Sequence, residues 1–446
     1  MSRFTHVVKR SGAVVPFNSG RIANAIYRAA VAVGGRDRAR ADWLAGRVVD
    51  FLEATLPPDH TPHIEEIQDV VEKVLIEHGH AAVAKAYILY RDERNRRRRE
   101  SGQRAAHPST NIPWAKIWRV LDWAVRHDLH TVAALNERLA RGEFAQIVHE
   151  AEAAYEDEVE TAAHALAERA ADIRVVLITG PSSSGKTTTT MKLARRLRRM
   201  GRKFVALNLD HYFFDLELHP RDEFGDYDFE TPQALDLELI NAHLLRLVNG
   251  EEALIPHYDF KRGRRTLDQT PMRLKADELL LIDSLHGLYP PLTAGVPEAQ
   301  KFRLYLEPLL QMRGPDGAYV RWTDLRLIRR MLRDATQRAY QPRQTLLHWR
   351  YVRAGELRNI IPYQATADVI INSAMPYELA LYRPRLLEAF TGWEMDYAGD
   401  PLRADAYARA ARVRRVLAAV RPVADDAAVP AESVLREFIG GSSFFG

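Results

Sequence analysis

Residues 179–190 read TGPSSSGKTTTT, and this stretch decides which fold the surrounding sequence forms. Gly180 and Gly185 lie five residues apart and are followed by Lys186 and Thr187, which is the spacing of a phosphate-binding loop. The glycines let the backbone curl so that its N–H groups point at phosphate oxygens, while the lysine adds positive charge and the threonine hydroxyl binds Mg²⁺. The pattern therefore predicts a site for a nucleoside triphosphate.

The sequence on both sides of this loop has the periodicity that such a loop requires. An apolar run, VVLIT, leads in, and a helical pattern, TTTTMKLARRLRRMG, leads out and ends at Gly201. Four more apolar runs, KFVALNL, ELLLIDSL, KFRLYLE and ADVIINSA, alternate with helical patterns further along the chain. Continuous apolar runs are typical of strands buried on both faces. We therefore expect an α/β fold with a parallel sheet flanked by helices.

Phosphate-binding loops also serve GTPases and motor ATPases, and because no Asn-Lys-x-Asp signature of guanine recognition follows this one, the other residues of the region must decide its class. Asp283 comes directly after an apolar run in LLLIDSLHG, which is where an acid holds or orients Mg²⁺. We expect Thr187 and Asp283 to serve the metal. The predicted nucleotide contacts within the loop are Gly180, Ser182, Ser183, Ser184, Gly185, Lys186, Thr187 and Thr188.

A second acid follows another predicted strand. Asp210 lies in LNLDHYFFD, at the carboxyl end of a strand, where ligands bind in open parallel sheets. A carboxylate there can take the proton from an acceptor hydroxyl during phosphoryl transfer, which would make it a general base. The alternative is an aspartate that only caps a helix or faces solvent.

The segment TDLRLIRRMLRDATQR predicts an amphipathic helix with a basic face. Its arginines recur at i, i+3, i+4 and i+7, at Arg326, Arg329, Arg330 and Arg333. Guanidiniums so close together need anions, and phosphates in transfer are such anions, so we expect a mobile helical lid that brings these arginines to them. The alternative is a solvated face that Asp324 and Asp334 partly neutralise.

The first 171 residues contain two other regions. Residues 1–95 open with two β-like runs, THVVKR and AVVPF, followed by about four helical patterns, which predicts a small α+β domain. Residues 101–171 are helical throughout and are expected to form a connector. Between them lies RNRRRRE, residues 94–100, either a solvated helix end or a contact for an anionic partner.

Composition excludes several classes of protein. The absence of cysteine removes disulfides, thiolate metal sites and cysteine nucleophiles. Lys and Arg number 63 against 59 acidic residues, a formal charge of +4, which is too balanced for a surface built to bind nucleic acid. No apolar run approaches the roughly 20 residues of a membrane span, and none at the N-terminus suits a signal peptide. We therefore expect a soluble cytoplasmic protein with no membrane or nucleic-acid partner.

Residues 172–385 resemble the uridine kinase and phosphoribulokinase family of P-loop kinases. The motifs GPSSSGKT, LDHYF, YDFETPQALD, IPHYDF and LLLIDSLHG and the arginine helix follow in the family's order. The resemblance implies that Asp210 is the catalytic base, that Lys186, Arg330 and Arg333 act on the transferred phosphate, and that Arg338 contacts the nucleotide. Acceptor contacts are expected at Tyr212, Glu230, Tyr258, Phe260 and Arg265.

The acceptor itself stays open. Uridine–cytidine kinases carry Asp where this chain has Glu230, and a base-reading His where it has Gly263. A nucleoside is the first expectation, whereas a phosphosugar or a 2-phosphoglycerate-like acceptor is the alternative. The cations of KRGRR, Lys261, Arg262, Arg264 and Arg265, face either a phosphorylated acceptor or water.

Residues 5–91 resemble the ATP-cone, a regulatory module of ribonucleotide reductases and their repressors. The resemblance rests on VVKRSGAVVPFNSGRIANAIYRA and on TPHIEEIQDVVEKVLIEHGHAAVAKAYILYR. It implies a second ATP or dATP, allosteric regulation and a homo-oligomer, with a degenerate packing module as the alternative. The nucleotide contacts implied by position are Lys9, Arg10, Asn18, Arg21 and Lys85.

We therefore expect an ATP-cone domain at residues 1–95, a helical connector at residues 101–171 and a P-loop kinase domain at residues 172–446. The expected activity is transfer of the γ-phosphate of ATP to a hydroxyl. A nucleotide-sensing regulator without catalysis is the competing hypothesis, although a pure sensor has no need of the base at Asp210.

Overall fold

The computed structural model describes residues 3–8, 14–31, 33–58, 60–88, 112–220, 227, 230–260, 262–337, 341–400 and 403–444. The chain divides into two compact units, one of residues 1–109 with 219–229 and one of residues 110–218 with 230–446. The predicted residues Lys9, Arg10, Lys261 and Arg338 and the basic run 94–100 lie outside the described residues.

The first unit contains the predicted hairpin and helices. Strands β1 (His6–Val8) and β2 (Val14–Pro16) pair antiparallel. Helices α1 (Ser19–Val31), α2 (Arg38–Thr55) and α3 (Ile64–Glu77) follow, and residues 81–88 are also helical. The helices form because their apolar positions recur on one face, and these faces meet in a core that includes Ile26, Val48 and Leu75.

The second unit is built around a parallel sheet. The strands of this unit are β3 (Val175–Thr179), β4 (Lys203–Leu207), β5 (Ala253–Asp259), β6 (Arg264–Met272), β7 (Glu278–Ser284), β8 (Lys301–Glu307) and β9 (Val369–Asn372), of which β5 and β6 form a separate hairpin. The five predicted runs form one sheet in the order β4-β7-β3-β8-β9, with every neighbouring pair parallel. The prediction of a parallel sheet is therefore confirmed.

Helices cover both faces of this sheet. They are α4 (Trp114–Arg126), α5 (Val132–Ala140), α6 (Phe144–Glu168), α7 (Lys186–Arg199), α8 (Leu237–Val248), α9 (Trp322–Gln337), α10 (Pro342–Asn359), α11 (Glu378–Asp396), α12 (Ala404–Ala419) and α13 (Arg436–Ile439). Val176 and Ile178 of β3 pack with α7 in one core, whereas Val175 and Leu177 pack with α8 in the other. Alternate strand residues point to opposite faces, so a run apolar at every position needs a core on both sides.

The helices expected to form a connector share the core of the sheet. Val159 and Leu166 of α6 are fully buried in the same cluster as Val176 of β3. Each fully buried aliphatic side chain contributes about 1.5–3 kcal/mol. The described residues of this region therefore pack as an integral part of the sheet unit.

The β5–β6 hairpin was not among the predicted strands. Its second strand is mostly exposed and polar, so it lacks the apolar pattern that predicts a buried strand. Gly263 forms the turn with φ +65°, and a Cβ there would lie 2.8 Å from Cβ of Leu216. Glycine is the residue that this turn accepts without strain.

None of the helices within the described residues is long and apolar enough to cross a bilayer.

Candidate active site

The phosphate-binding loop lies between β3 and α7, and both of its glycines are needed for close packing. A Cβ on Gly180 would lie 2.3 Å from the carbonyl oxygen of Leu306. Gly185 has φ +91°, and a Cβ there would lie 2.4 Å from a methyl group of Val434. No other residue type fits these two positions without displacing the backbone or the neighbouring chain.

The loop presents donors that fit a phosphate. The Ser183 and Ser184 hydroxyls are buried and have no hydrogen-bond partner among the residues that the structure describes. Lys186 Nζ donates to the carbonyls of Gly180 (2.9 Å) and Pro181 (3.3 Å), which holds the ammonium group over the loop. Buried hydroxyls without partners are costly unless a ligand or water satisfies them, and α7 begins here, so the N–H groups of its first turn can also face a phosphate.

The two predicted acids lie next to this loop. Asp283 of β7 pairs in register with Ile178 of β3, and Asp210 lies in the turn that follows β4, the neighbour of β7. Desolvation raises the pKa of Asp283 to about 6, and Lys186 opposes this shift, whereas Glu437 and Asp210 add to it. The carboxyl ends of three adjacent strands thus place both acids and the loop in one electrostatic environment.

The donor set also fits Mg²⁺. The hydroxyl of Thr187 at the start of α7 and the carboxylate of Asp283 are oxygen ligands of the kind that Mg²⁺ prefers. Within the described residues, no group of three or more His, Asp or Glu side chains forms a complete cage for an ion. A magnesium ion held by one carboxylate, one hydroxyl and substrate phosphates is the usual arrangement in such sites.

Glu230 and Arg330 connect the loop to the expected acceptor side. Arg330 Nη1 lies 2.9 Å from Glu230 Oε1 and donates to Ser182 Oγ at 3.2 Å. Arg330 Nε also lies 3.3 Å from Asp334 Oδ2. Desolvation acts to raise the pKa of Glu230, but the Arg330 ion pair outweighs it, and the net shift is downward. Glu230 is therefore an ionised carboxylate that is linked to the loop through Arg330.

The basic face of α9 differs from the predicted lid. Arg326 and Arg329 are fully buried and pair with Glu356 and Glu378, at 2.5 Å and 2.7 Å respectively. These two arginines therefore pair with protein carboxylates. They do so because the arginine face of α9 is buried, as is its apolar face. The expectation of four arginines on a mobile lid was therefore wrong for Arg326 and Arg329. Arg330 remains beside the loop.

Arg333 lies on the same side of α9 as Arg330. Its Nη1 is 3.7 Å from Glu437 Oε1, and its Nε is 3.7 Å from Asp334 Oδ1. Its charge also acts on Lys186, whose pKa it lowers. Of the two arginines predicted to act on the transferred phosphate, Arg330 therefore contacts the loop at Ser182, and Arg333 acts on Lys186 through its charge.

Two of the predicted acceptor contacts are used inside the protein. Tyr212 is fully buried, and its hydroxyl lies 3.0 Å from His243 Nδ1. Arg265 Nη1 lies 3.0 Å from Asp236 Oδ2 in a largely buried ion pair. His243 thus engages the Tyr212 hydroxyl and Asp236 engages the Arg265 guanidinium, and the role of these two residues as acceptor contacts stays a prediction.

The other two aromatic acceptor candidates lie together on the hairpin. Tyr258 is buried, with its ring centroid 4.9 Å from that of Phe260, which is 60% exposed. Phe213 packs against both rings. An aromatic surface is thus present near the end of β5.

Two residues at the site were not predicted. His286, in the LHG that follows Asp283, is buried, and neither ring nitrogen has a partner among the described residues. Desolvation lowers its pKa to about 4, with Glu230 opposing this shift and Lys186 adding to it. Glu437 comes from the C-terminal tail and accepts a hydrogen bond from Thr188. The position of His286 beside Asp283 was visible in the sequence, whereas nothing local marks Glu437.

In the first unit, three of the expected nucleotide contacts lie within the described residues, and Asn18 caps a helix. The Asn18 side chain accepts a hydrogen bond from the Gly20 N–H at 2.8 Å, which caps α1. Arg21 is partly buried in the first turn of that helix, and Lys85 is exposed.

The sheet order, the loop after the central strand and the acids at neighbouring strand ends define a P-loop kinase fold. Residues 175–379 match the sequence model of the phosphoribulokinase / uridine kinase family, and residues 5–96 match that of the ATP cone domain. The chain thus resembles kinases of this family over residues 175–379 and the ATP cone domain over residues 5–96.

Relatives agree with both matches. The uridine kinase of Deinococcus deserti is 28% identical over 198 residues, which cover 44% of this chain and 86% of that protein. A uridine kinase of Chloroflexus aurantiacus is 29% identical over 199 residues, which cover 44% and 85%. The vitamin B12-dependent ribonucleoside-diphosphate reductase of Thermoplasma acidophilum is 44% identical over 99 residues, 21% of this chain and 12% of that protein. These similarities support an ATP-dependent kinase.

Proposed function

We propose that this protein transfers the γ-phosphate of ATP to a hydroxyl of a small metabolite, with a nucleoside as the first candidate. The observation that carries the proposal is the position of Asp210 and Asp283 at the carboxyl ends of the neighbouring strands β4 and β7. The phosphate-binding loop follows β3, which is the other neighbour of β7. The uridine kinases to which the chain is similar add support for the acceptor class.

Asp210 is the proposed base. It removes the proton from the acceptor hydroxyl as that oxygen bonds to the γ-phosphorus and the bond to the leaving ADP oxygen breaks. Lys186, Arg330 and Arg333 stabilise the charge on the transferring group. Thr187 and Asp283 would hold Mg²⁺, which neutralises phosphate charge when bound. His286 stays neutral near pH 7, since its pKa is about 4, and can therefore both donate and accept hydrogen bonds.

A phosphorylated acceptor has less support than a nucleoside. The cations that favoured it are engaged by acids, since Arg265 pairs with Asp236 and Arg264 Nη2 lies 3.0 Å from Glu217 Oε1. Arg262 is 83% exposed on the outside of the turn. A phosphosugar or 2-phosphoglycerate-like acceptor therefore stays the second candidate.

We further propose that residues 1–95 bind a second ATP or dATP and regulate transfer, within a homo-oligomer. The match of residues 5–96 to the ATP cone supports this proposal. Thermodynamic coupling requires that nucleotide at this unit and substrates at the kinase unit change each other's affinity reciprocally.

The test is transfer of label from γ-labelled ATP to separate pools of nucleosides, phosphosugars and glycerates, with and without dATP. The expected result is a labelled nucleoside monophosphate, at a rate that dATP changes. Label in the phosphosugar or glycerate pool would reassign the acceptor. Tight ATP binding without label in any pool would contradict the kinase and favour a nucleotide sensor.

A further inference from the structure

The C-terminal segment, residues 433–439, packs directly on the phosphate-binding loop. Val434 lies against Gly185, and Phe438 is fully buried with the Arg329 guanidinium 5.0 Å from its ring centroid. Leu435 is also fully buried in the main core. Packing of Val434, Leu435 and Phe438 thus anchors this segment, and none of these contacts involves Glu437.

A carboxylate nevertheless points from this segment to the first turn of α7. Glu437 is 5% exposed, and its Oε2 accepts hydrogen bonds from Thr188 Oγ1 at 3.0 Å and from the Thr188 N–H at 3.4 Å. Its Oε1 lies 3.7 Å from Arg333 Nη1. The Thr188 hydroxyl and N–H belong to the residue directly after Lys186-Thr187. Phosphate oxygens accept hydrogen bonds from donors at this position of such a loop.

Glu437 lies among the charged side chains of the phosphate-binding loop. Its negative charge acts on Lys186 and on Asp283, so it belongs to the same electrostatic cluster as the phosphate-binding lysine. A nucleotide phosphate that accepts hydrogen bonds from Thr188 would have to displace the Glu437 carboxylate, which already accepts them. Two anions cannot share one set of donors without repulsion, which is strong where water is largely excluded.

We propose that Glu437 is a residue of the nucleotide site that competes with a nucleotide phosphate for the Thr188 donors and thereby weakens ATP and ADP binding. Only the side chain has to turn away when phosphate binds, since the apolar neighbours hold the segment in place. The C-terminal segment then sets nucleotide affinity and the rate of nucleotide release. This inference rests on the proposed function in one respect, namely that ATP binds at the loop.

The test is equilibrium binding of ATP, ADP and adenosine to the full chain and to its Glu437→Gln variant, with the ADP release rate measured by stopped flow. Removal of one like charge beside a phosphate is expected to tighten ATP and ADP binding about tenfold and to slow ADP release by a similar factor. Adenosine has no phosphate, so its affinity should not change. A purely structural role would alter all three ligands alike.

Glu432→Gln is the matched control, because it makes the same chemical change in a neighbouring residue. Glu432 is 47% exposed and pairs at the surface with Arg195, at 2.6 Å. Glu437→Asp keeps the charge but shortens the side chain, and it should give intermediate affinity, which keeps the test valid should the glutamine variant fold poorly. Equal or weaker ATP binding in folded Glu437→Gln overturns the inference. Absence of ATP binding in the unsubstituted chain would instead contradict the proposed function.

Discussion

Several charged side chains of the candidate active site act on Lys186. Burial lowers its pKa, whereas the acids Asp283 and Glu437 raise it, and Arg333 lowers it again. Binding of phosphate requires the ammonium form, so the neighbouring carboxylates offset part of the cost of burying this cation. The site therefore depends on the balance among these residues as well as on the loop itself.

Single residues of this site were predictable where chemistry and spacing coincide. Gly185 and Lys186 were predictable from the spacing of the loop motif, and Asp283 from its place at the end of an apolar run. The burial of Tyr212 could not be predicted, because it depends on α8 and on a hairpin with no apolar signature. Glu437 could not be found, since it lies 249 residues along the chain from its hydrogen-bond partner Thr188.

His286 should make the stability of the sheet unit depend on pH. Its pKa is about 4 in the fold, below the ordinary value of 6.5, because the ring is buried. Between these values the unfolded chain binds a proton that the folded protein does not, so stability falls as pH falls from 6.5 towards 4. This residue should account for about 2 kcal/mol of lost stability between pH 7 and pH 5.

Urea unfolding at both pH values, followed by tryptophan fluorescence, measures this effect. In His286→Gln the change in stability between pH 7 and pH 5 should shift by about 2 kcal/mol relative to the unsubstituted chain, whereas the control His149→Gln, at an exposed position, should leave it unchanged. The same loss in His286→Gln as in the unsubstituted chain would show that this ring does not titrate as argued.

At the scale of elements, α9 shows what periodicity does and does not reveal. The spacing of its arginines correctly placed them along the helix, but it could not tell a ligand's phosphate from a carboxylate on α10 or α11. The inner strands β3, β7 and β8 were predictable because burial on both faces requires unbroken apolar runs. The exposed β6 has no such requirement, and its sequence therefore carried no strand signal.

The buried ion pairs of α9 should be far more important for stability than pairs at the surface. Arg329→Ala leaves the fully buried Glu378 without its cation, which should cost about 3–5 kcal/mol in the free energy of unfolding. Arg415→Ala removes an exposed pair with Asp316 and should cost less than about 1 kcal/mol. Similar losses for the two variants in urea unfolding would contradict a structural role for Arg329.

At the scale of the whole molecule, the sequence separated a cone-like unit from a sheet unit. The helices between them were expected to form a connector, yet α6 shares the core of the sheet. A long amphipathic helix predicts a buried face, but the identity of its partner depends on contacts far apart in the chain.

The proposal that both units bind nucleotide predicts two nucleotides per chain. Lys186→Ala should reduce the ATP stoichiometry from two to one, because it removes charge from the loop of the sheet unit. The reciprocal variant, Arg21→Ala with Lys85→Ala, should remove the other site and keep phosphoryl transfer. Isothermal titration with ATP measures both stoichiometries. A single site in the unsubstituted chain that persists in the reciprocal variant would refute nucleotide binding by the cone.

The most direct test of the central claim is the single-turnover rate of γ-phosphate transfer by Asp210→Asn, with ATP affinity measured in parallel. If Asp210 is the base, transfer should fall by roughly a hundredfold or more while the ATP dissociation constant stays the same. Asp277→Asn is the control, since Asp277 is 58% exposed and pairs with Lys203 just ahead of β7. Transfer at the unsubstituted rate in Asp210→Asn would contradict the account.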